Sequence, residues 1–100
     1  MIVMKFGGSS LGDAEKIHQV GKIITGKADE GEVLVVVSAM EGVTDQLETC
    51  ARLSLEGDGG RKELIEEIRS RHESVAEQLL GESVDRVRRQ IGHKLDRLDE

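Results

Sequence analysis

The sequence feature that most constrains the fold is an uninterrupted apolar run from Val33 to Val37, spelled VLVVV. Most of its residues are β-branched, which favours a strand over a helix. An apolar run without polar alternation is typical of a strand covered on both faces, as in parallel sheets flanked by helices. We therefore predict a buried parallel strand over residues 32–38 of an α/β fold.

A second short apolar run, Ile2–Phe6, precedes two glycines, and it predicts another strand over residues 2–6. Between the two runs, apolar residues recur at helical spacing from Asp13 to Gly26, which is the expected helix end. This spacing predicts a helix over residues 13–25. The order strand, helix, strand is that of a right-handed βαβ unit.

The remaining apolar residues follow a helical period. They predict helices over residues 43–56, 61–80 and 83–98, with a break at Gly57–Gly60 after the first and a hairpin formed by the last two. The chain thus divides into a βαβα unit at 1–57 and a helical hairpin at 61–100. Because the last pattern meets no helix-stop signal before Glu100, and two strands make a poor sheet, we expect a truncated chain.

Composition excludes several classes of function. A net charge of −6 disfavours non-specific binding to nucleic acid or anionic membranes, and a single aromatic residue provides no stacking platform for single strands. One cysteine, Cys50, allows no internal disulfide, and no histidine pair has metal-ligand spacing, so we predict no metal site. Without a signal pattern or a membrane-length apolar run, we predict a cytoplasmic protein.

The first candidate site follows the first strand and reads Lys5-Phe6-Gly7-Gly8-Ser9-Ser10. Glycines let the backbone approach a ligand closely, and successive N–H groups before a helix can hold an anion. A phosphate would also provide a partner for Lys5, since an unpaired lysine is costly to bury. The loop lacks the Walker A and dinucleotide-binding patterns. From this motif alone, a surface lysine before a structural glycine turn is an equally good interpretation.

The second candidate site, Ser38–Asp45, follows the apolar strand, where open α/β sheets bind ligands. Ser38 ends the strand, Gly42 permits a turn, and Thr44 or Asp45 begins a helix, where both residue types are common caps. Alone, this loop favours a structural role. Because the two loops end neighbouring parallel strands, we expect them to face one crevice.

Together the two loops resemble the aspartate kinase family. The first is similar to the K-F-G-G-[TS]-S opening of these enzymes, and residues 35–45 are similar to their V-V-V-S-A-M-x-G-V-T-D signature. Residues 61–98 resemble, by pattern only, the helical hairpin that follows in the family. The resemblance implies part of an amino-acid-kinase-type three-layer sandwich, cut from the N-terminal segment of a much longer polypeptide.

The resemblance also implies a reaction and its partners. ATP, accompanied by Mg²⁺, would phosphorylate the β-carboxylate of L-aspartate to 4-phospho-L-aspartate, the first step toward lysine, threonine and methionine. The intact enzyme would be a homo-oligomer with neither nucleic acid nor a membrane as partner. Because the rest of the site would lie beyond Glu100, the 100 residues alone would be inactive.

The resemblance assigns roles residue by residue. Lys5 and Gly8 would be catalytic, the lysine by neutralising charge on the transferring phosphoryl group and the glycine by donating its backbone N–H. The phosphate site as a whole would comprise Lys5, Phe6, Gly7, Gly8 and Ser9. Ser38 and Thr44 would hold aspartate, and Asp45 would be a helix cap or a scaffold group.

Two other interpretations stay open. One is a kinase of another small acid, such as N-acetylglutamate, on the same scaffold, although the second loop argues against it. The other is a small non-catalytic protein that binds a partner through its helical hairpin. The remaining candidates have structural interpretations: Cys50 half-buried on a helix, His72 packed, and His18 and His93 at the surface.

Overall fold

A computed structural model of the chain describes residues 1–57 and 59–100. Its elements are, in order, β1 (Ile2–Phe6), a 3₁₀ turn (Gly8–Leu11), α1 (Ala14–Ala28), β2 (Val33–Val37), α2 (Val43–Leu55), α3 (Gly60–Leu80), a second 3₁₀ turn (Gly81–Val84) and α4 (Asp85–Asp99). Both predicted strands and all four predicted helices are present. The predicted break at Gly57–Gly60 includes Asp58, which lies outside the described residues. The chain forms two compact units, Met1–Thr44 and Asp45–Glu100.

In the first unit, β1 and β2 form a two-stranded parallel sheet. The register pairs Ile2 with Val33 and Phe6 with Val37. Just beyond the last pair, the Ser38 N–H donates to the Phe6 carbonyl oxygen at 3.1 Å. Because the strands run parallel and end level, the loops that follow them leave from the same edge of the sheet.

Helix α1 crosses between the strands and contacts both of them. Its start is capped by Asp13, whose carboxylate accepts from the Lys16 N–H at 2.8 Å. The predicted end at Gly26 is wrong, because the helix continues to Ala28. A glycine inside a helix costs only about 1 kcal/mol, and the N–H of Asp29 still reaches the Thr25 carbonyl oxygen at 3.2 Å.

The two faces of the sheet differ in their cover. On the face that carries α1, Phe6, Val33 and Val35 are half-buried, whereas Val37 at the end of its strand is 55% exposed where it lines a groove against α1. On the opposite face Val3, Leu34 and Val36 are 61%, 50% and 45% exposed. The prediction that β2 is buried on both faces is therefore wrong for the described residues. The apolar run supplies side chains to both faces, but only one of them is packed against a helix.

The second unit is built around a small aliphatic core. Cys50, Ile65, Ile68 and Leu95 are buried together, with Leu64 and Ile91 packed against them. Cys50, predicted half-buried, is thus fully in the core. Because its packing partners lie on α3 and α4, most of α2 groups with the hairpin, whereas the predicted division placed residues 43–56 in the first unit.

Helices α3 and α4 form the predicted hairpin. The chain turns at Gly81, whose φ of 54° is rarely adopted by residues with a side chain. His72 is half-buried with its Nδ1 2.7 Å from the Ile68 carbonyl oxygen, so it is a packing histidine as predicted. His18 and His93 are exposed, also as predicted.

Arginines on both helices reinforce the hairpin. Arg69 donates to the Asp96 carboxylate at 2.8 Å, and Arg61 donates to the Asp99 carbonyl oxygen at 3.2 Å. Arg88 on α4 pairs with Glu77 on α3. Across the described part of the chain, every helix is too short or too polar to cross a membrane.

Candidate functional site

The two candidate loops lie against each other at the edge of the sheet where both strands end. Gly8 marks the contact. A Cβ built on Gly8 would lie 3.4 Å from the Ala39 carbonyl oxygen, 3.4 Å from the Glu41 Cα and 3.5 Å from the Ser38 Oγ. The two loops are therefore in contact, and Gly8 occupies the place where a side chain would press on the second loop. That they face one crevice stays a prediction, since Ser9 and Ser38 line different grooves.

In the first loop, the glycines provide space rather than unusual backbone angles. Gly7 is extended, with φ −82° and ψ 175°, and its carbonyl oxygen accepts the Ser10 N–H at 3.1 Å. No φ in the positive region is found at Gly7 or Gly8. A Cβ on Gly7 would meet nothing within 4 Å. Gly7 is exposed with open space on its Cβ side, whereas Gly8 is half-buried and faces the second loop on that side.

The second loop turns tightly before α2. The Val43 N–H donates to the Met40 carbonyl oxygen at 3.0 Å, and Gly42 has a φ of 83°. A turn with positive φ at its third residue favours glycine there, as predicted for Gly42. Helix α2 begins at Val43, so Thr44 and Asp45 lie inside its first turn rather than before it.

Ser38, the first residue of the second loop, is exposed. Its hydroxyl donates to the Ala39 carbonyl oxygen at 2.6 Å. Thr44 is also exposed and follows Val43, which is buried. Both hydroxyl-bearing residues predicted to hold a substrate are therefore accessible from solvent.

Lys5 lies beside Val36 on the open face of the sheet, one residue before β1 ends. Its side chain is exposed. The desolvation cost expected for a buried lysine is therefore absent here. Among the described residues, none forms a hydrogen bond or an ion pair with the Lys5 ammonium group. An anion reaching this edge of the sheet would meet a solvated ammonium group.

The structure brings together some of the predicted phosphate-site residues and separates others. Phe6 and Ser9 share a groove of about 310 Å³ that also includes Ser10 and Lys16. Because neighbouring side chains in a strand alternate, Lys5 points to the opposite face of the sheet from Phe6. The side chains of Lys5 and Phe6 therefore do not converge on one ligand. The glycine loop that follows them lies at the edge of the sheet, within reach of both faces.

The side chain of Glu41 makes a contact between the second loop and the start of α1 that the sequence did not predict. A Cβ built on Gly12 would lie 2.9 Å from Oε2 of Glu41 and 3.7 Å from Nζ of Lys16. Glu41 is thus seated at the start of α1. Position 41 is the variable letter of the second signature, so the motif itself contained no signal for this contact.

The described residues do not form a direct metal site. Among residues 1–57 and 59–100, no three or more His, Cys, Asp or Glu side chains are grouped so as to hold a metal ion. The cationic and hydrogen-bonding groups described above are suited to an anionic ligand instead.

The amino-acid sequence matches a known protein family. The model of the amino acid kinase family matches residues 1–92 of the chain. The match covers most of both compact units. The chain therefore belongs to the amino acid kinase family.

Similar individual proteins are aspartokinases, which confirms the resemblance found in the two loops. An aspartokinase of Chlamydia trachomatis serovar D is 49% identical over 78 residues, which are 78% of this chain and 17% of that protein. A chloroplastic bifunctional aspartokinase/homoserine dehydrogenase 1 of Zea mays is 36% identical over 90 residues, 89% of this chain and 10% of that protein. An aspartokinase of Helicobacter pylori is 48% identical over 48 residues, 47% of this chain and 12% of that protein. The chain thus spans less than a fifth of the length of these relatives.

Proposed function

We propose that this chain supplies part of the active site of an aspartate kinase. The reaction is the transfer of a phosphoryl group from ATP to the β-carboxylate of L-aspartate, giving 4-phospho-L-aspartate. The contact of Gly8 with the Ser38–Glu41 segment carries the proposal, because it joins a glycine loop suited to phosphate with a hydroxyl-bearing loop suited to a carboxylate. The names of the similar proteins support the choice of aspartate.

The first loop acts on the phosphate groups. Lys5, with its exposed ammonium, neutralises charge on the transferring phosphoryl group, and the backbone N–H groups of Gly7 and Gly8 donate to it. Phe6 and Ser9 complete the site. Phosphoryl transfer depends mainly on positioning and on charge stabilisation, so a loop of this kind needs no nucleophile of its own.

The second loop holds the acceptor. The hydroxyls of Ser38 and Thr44 donate to the carboxylates of aspartate, and Ser38 exchanges its local bond to the Ala39 carbonyl oxygen for a bond to substrate. Asp45 serves as a scaffold group in the first turn of α2. The Mg²⁺ ion enters with ATP as part of the substrate.

Finer features of the assignment are also proposals. The open apolar face of the sheet, with Val3, Leu34 and Val36, supports a second covering layer and hence the three-layer sandwich of this family. The residues proposed above to bind phosphate and aspartate all lie in the first unit, Met1–Thr44. We place the reaction in the cytoplasm, at the first step toward lysine, threonine and methionine, in a homo-oligomer. The 100 residues alone are inactive.

The test is an assay of the native gene product with ATP and L-aspartate, in which hydroxylamine traps the acyl phosphate. Lys5→Ala is expected to lower turnover by about a hundredfold or more, since it removes a charge that acts on the transition state. Far-ultraviolet circular dichroism should be unchanged because Lys5 is exposed. The matched control is Lys22→Ala, an exposed lysine on α1, which should leave turnover unaltered.

Unchanged turnover in Lys5→Ala would overturn the role given to this lysine. Replacing L-aspartate with N-acetylglutamate in the same assay distinguishes the acceptor. Phosphorylation of N-acetylglutamate in preference to aspartate would contradict the substrate proposed here while preserving the class of reaction.

A further inference from the structure

Glu41 touches the first loop and the start of α1 at two separate points. Its Cα lies 3.4 Å from the Cβ position of Gly8, and its Oε2 lies 2.9 Å from the Cβ position of Gly12. Gly8 and Gly12 are the two ends of the segment formed by the first 3₁₀ turn and the residue after it. The backbone and the side chain of one residue therefore span this segment.

The surroundings of Gly12 favour a carboxylate. The N-terminus of α1 carries a partial positive charge, and Gly12 comes directly before the Asp13 cap. The ammonium of Lys16, one turn along α1, lies 3.7 Å from the same Cβ position of Gly12. An acidic side chain placed here is stabilised by both charges.

The second loop is also attached to the first unit at its two ends. At its start, the Ser38 N–H is bonded to the Phe6 carbonyl oxygen, and at its end Val43 is buried. Ala39 is exposed between these two points. Met40 is half-buried and lines an apolar groove with Ile17 and Val20 of α1, and the Glu41 carboxylate adds a polar contact with Gly12.

We propose that Glu41 is a positioning residue, which fixes the separation of the two loops by seating its carboxylate on Gly12. Gly8 is then held at its packing distance from Ser38 and Ala39. The consequence for ligand binding rests on the proposed function, whereas the link between the loops does not.

Two substitutions break this link from opposite sides. Glu41→Ala removes the carboxylate. Gly12→Ala places a methyl group where Oε2 lies, and because Gly12 has ordinary helical angles (φ −73°, ψ −29°), alanine fits the backbone and displaces only the flexible side chain. The matched control is Gly21→Ala on α1, whose Cβ would meet nothing within 4 Å.

The first measurement is the amide nitrogen–proton NMR spectrum of the chain. Glu41→Ala is expected to shift the amides of Gly7 and Gly8, and Gly12→Ala is expected to shift those of the second loop. The double variant should match Glu41→Ala alone, because the methyl group then has no carboxylate to displace. Gly21→Ala should shift only its own helix.

The second measurement is titration of each variant with inorganic phosphate, followed at the same amides. The dissociation constant should rise roughly threefold to tenfold in either single variant and no further in the double variant, with the thermal midpoint unchanged. Glu41→Gln, which keeps the length and an acceptor oxygen but not the charge, should lie between Glu41→Ala and the native chain.

Shifts confined to the substituted loop, or additive effects in the double variant, would overturn the positioning role. If the native chain shows no response to phosphate, the phosphate-binding role proposed for the first loop is contradicted. The coupled amide shifts would then still decide, for or against, whether Glu41 links the loops.

Discussion

The two compact units of the molecule differ in how they place their apolar residues. The helical unit buries apolar residues from α2, the second 3₁₀ turn and both hairpin helices, namely Cys50, Ile65, Ile68, Ala76, Val84 and Leu95. The sheet unit leaves Val3, Leu34 and Val36 exposed on one face of its two strands. Among the described residues, the helical unit combines a contiguous core with ion pairs that cross between helices.

This difference means that the residues that stabilise the fold and the residues proposed to bind ligands lie in different units. The residues proposed to act on phosphate and aspartate lie where the two strands end, in the loops that follow and in the first turn of α2. Most of them are exposed, so their substitution removes little packing. The hairpin contains the buried side chains on which unfolding free energy depends most. Substitutions in the loops should therefore alter ligand binding, and substitutions in the hairpin should alter folding.

The largest expected effect is that of Ile68→Ala. Ile68 is 2% exposed and belongs to the core cluster of the helical unit. Removing its side chain should cost about 2–5 kcal/mol of unfolding free energy through lost burial and a residual cavity. Urea unfolding followed by helical circular dichroism measures this loss.

Leu55→Ala is the control for Ile68→Ala. Leu55 lies on α2 in the same unit but is 90% exposed, so its truncation should change stability by about 0.5 kcal/mol or less. Equal effects of the two substitutions would contradict the core described here and, with it, the contrast between the units.

The next effect is that of Arg69→Ala, which removes a link between the hairpin helices. The guanidinium donates to the Asp96 carboxylate at 2.8 Å, to Glu66 at 3.1 Å and to the Gly92 carbonyl oxygen at 3.4 Å. The hydrogen bond to Asp96 raises the pKa of Arg69 above its ordinary value. We expect a loss of about 1 kcal/mol, reduced at high salt because these carboxylates are exposed.

Gly92→Ala offers a second way to break the same link. A Cβ on Gly92 would lie 3.3 Å from Nη1 of Arg69, so the added methyl group should displace the arginine. Exposed Arg89 on α4 provides the control by substitution to alanine. If Arg89→Ala destabilises the hairpin as much as Arg69→Ala does, net charge and not the bridge is responsible.

Much of the architecture was predictable because it depends on local chemistry. The β-branched run at 33–37 and the helical spacing in 61–98 each specify an element without reference to distant residues. The proximity of the loops was also predictable, since parallel strands in register end together. The turn at Gly42 was predictable as well, because glycine adopts the positive φ that this turn requires.

Other features depend on tertiary contacts, which a sequence pattern does not specify. The apolar run at 33–37 indicates that both faces of the strand can be buried, but it does not specify which face a helix covers. Gly26 has the character of a helix stop, yet the intrinsic cost of glycine is too small to end α1 there. The contact of Glu41 with Gly12 arises from tertiary placement, and the exposure of Lys5 follows from the uncovered face.

A smaller effect distinguishes the two adjacent glycines of the first loop. A Cβ on Gly8 would sit 3.4 Å from the Ala39 carbonyl oxygen, whereas a Cβ on Gly7 would sit in open space. Gly8→Ala should therefore shift the amide resonances of Ala39 and Glu41 with only a small change in stability. Gly7→Ala should leave those resonances in place. Equal shifts in both variants would contradict the packing of the second loop on Gly8.

The smallest effect concerns pH and reports on the helical unit alone. Burial raises the pKa of the Cys50 thiol above its ordinary value of 9.0, and the nearby charge of Arg61 offsets part of the rise. Because the folded unit holds this proton more tightly than the unfolded chain, its contribution to stability is complete below pH 9.0 and is lost as the pH rises through the folded pKa. Stability of the native chain should thus fall more steeply above pH 9.0 than that of Cys50→Ala, as measured by urea unfolding.

Iodoacetamide, which has a single thiol to label in this sequence, should react more slowly with the folded chain than with the unfolded chain. Parallel pH profiles together with fast labelling would place the thiol outside the core and weaken the contrast between the units.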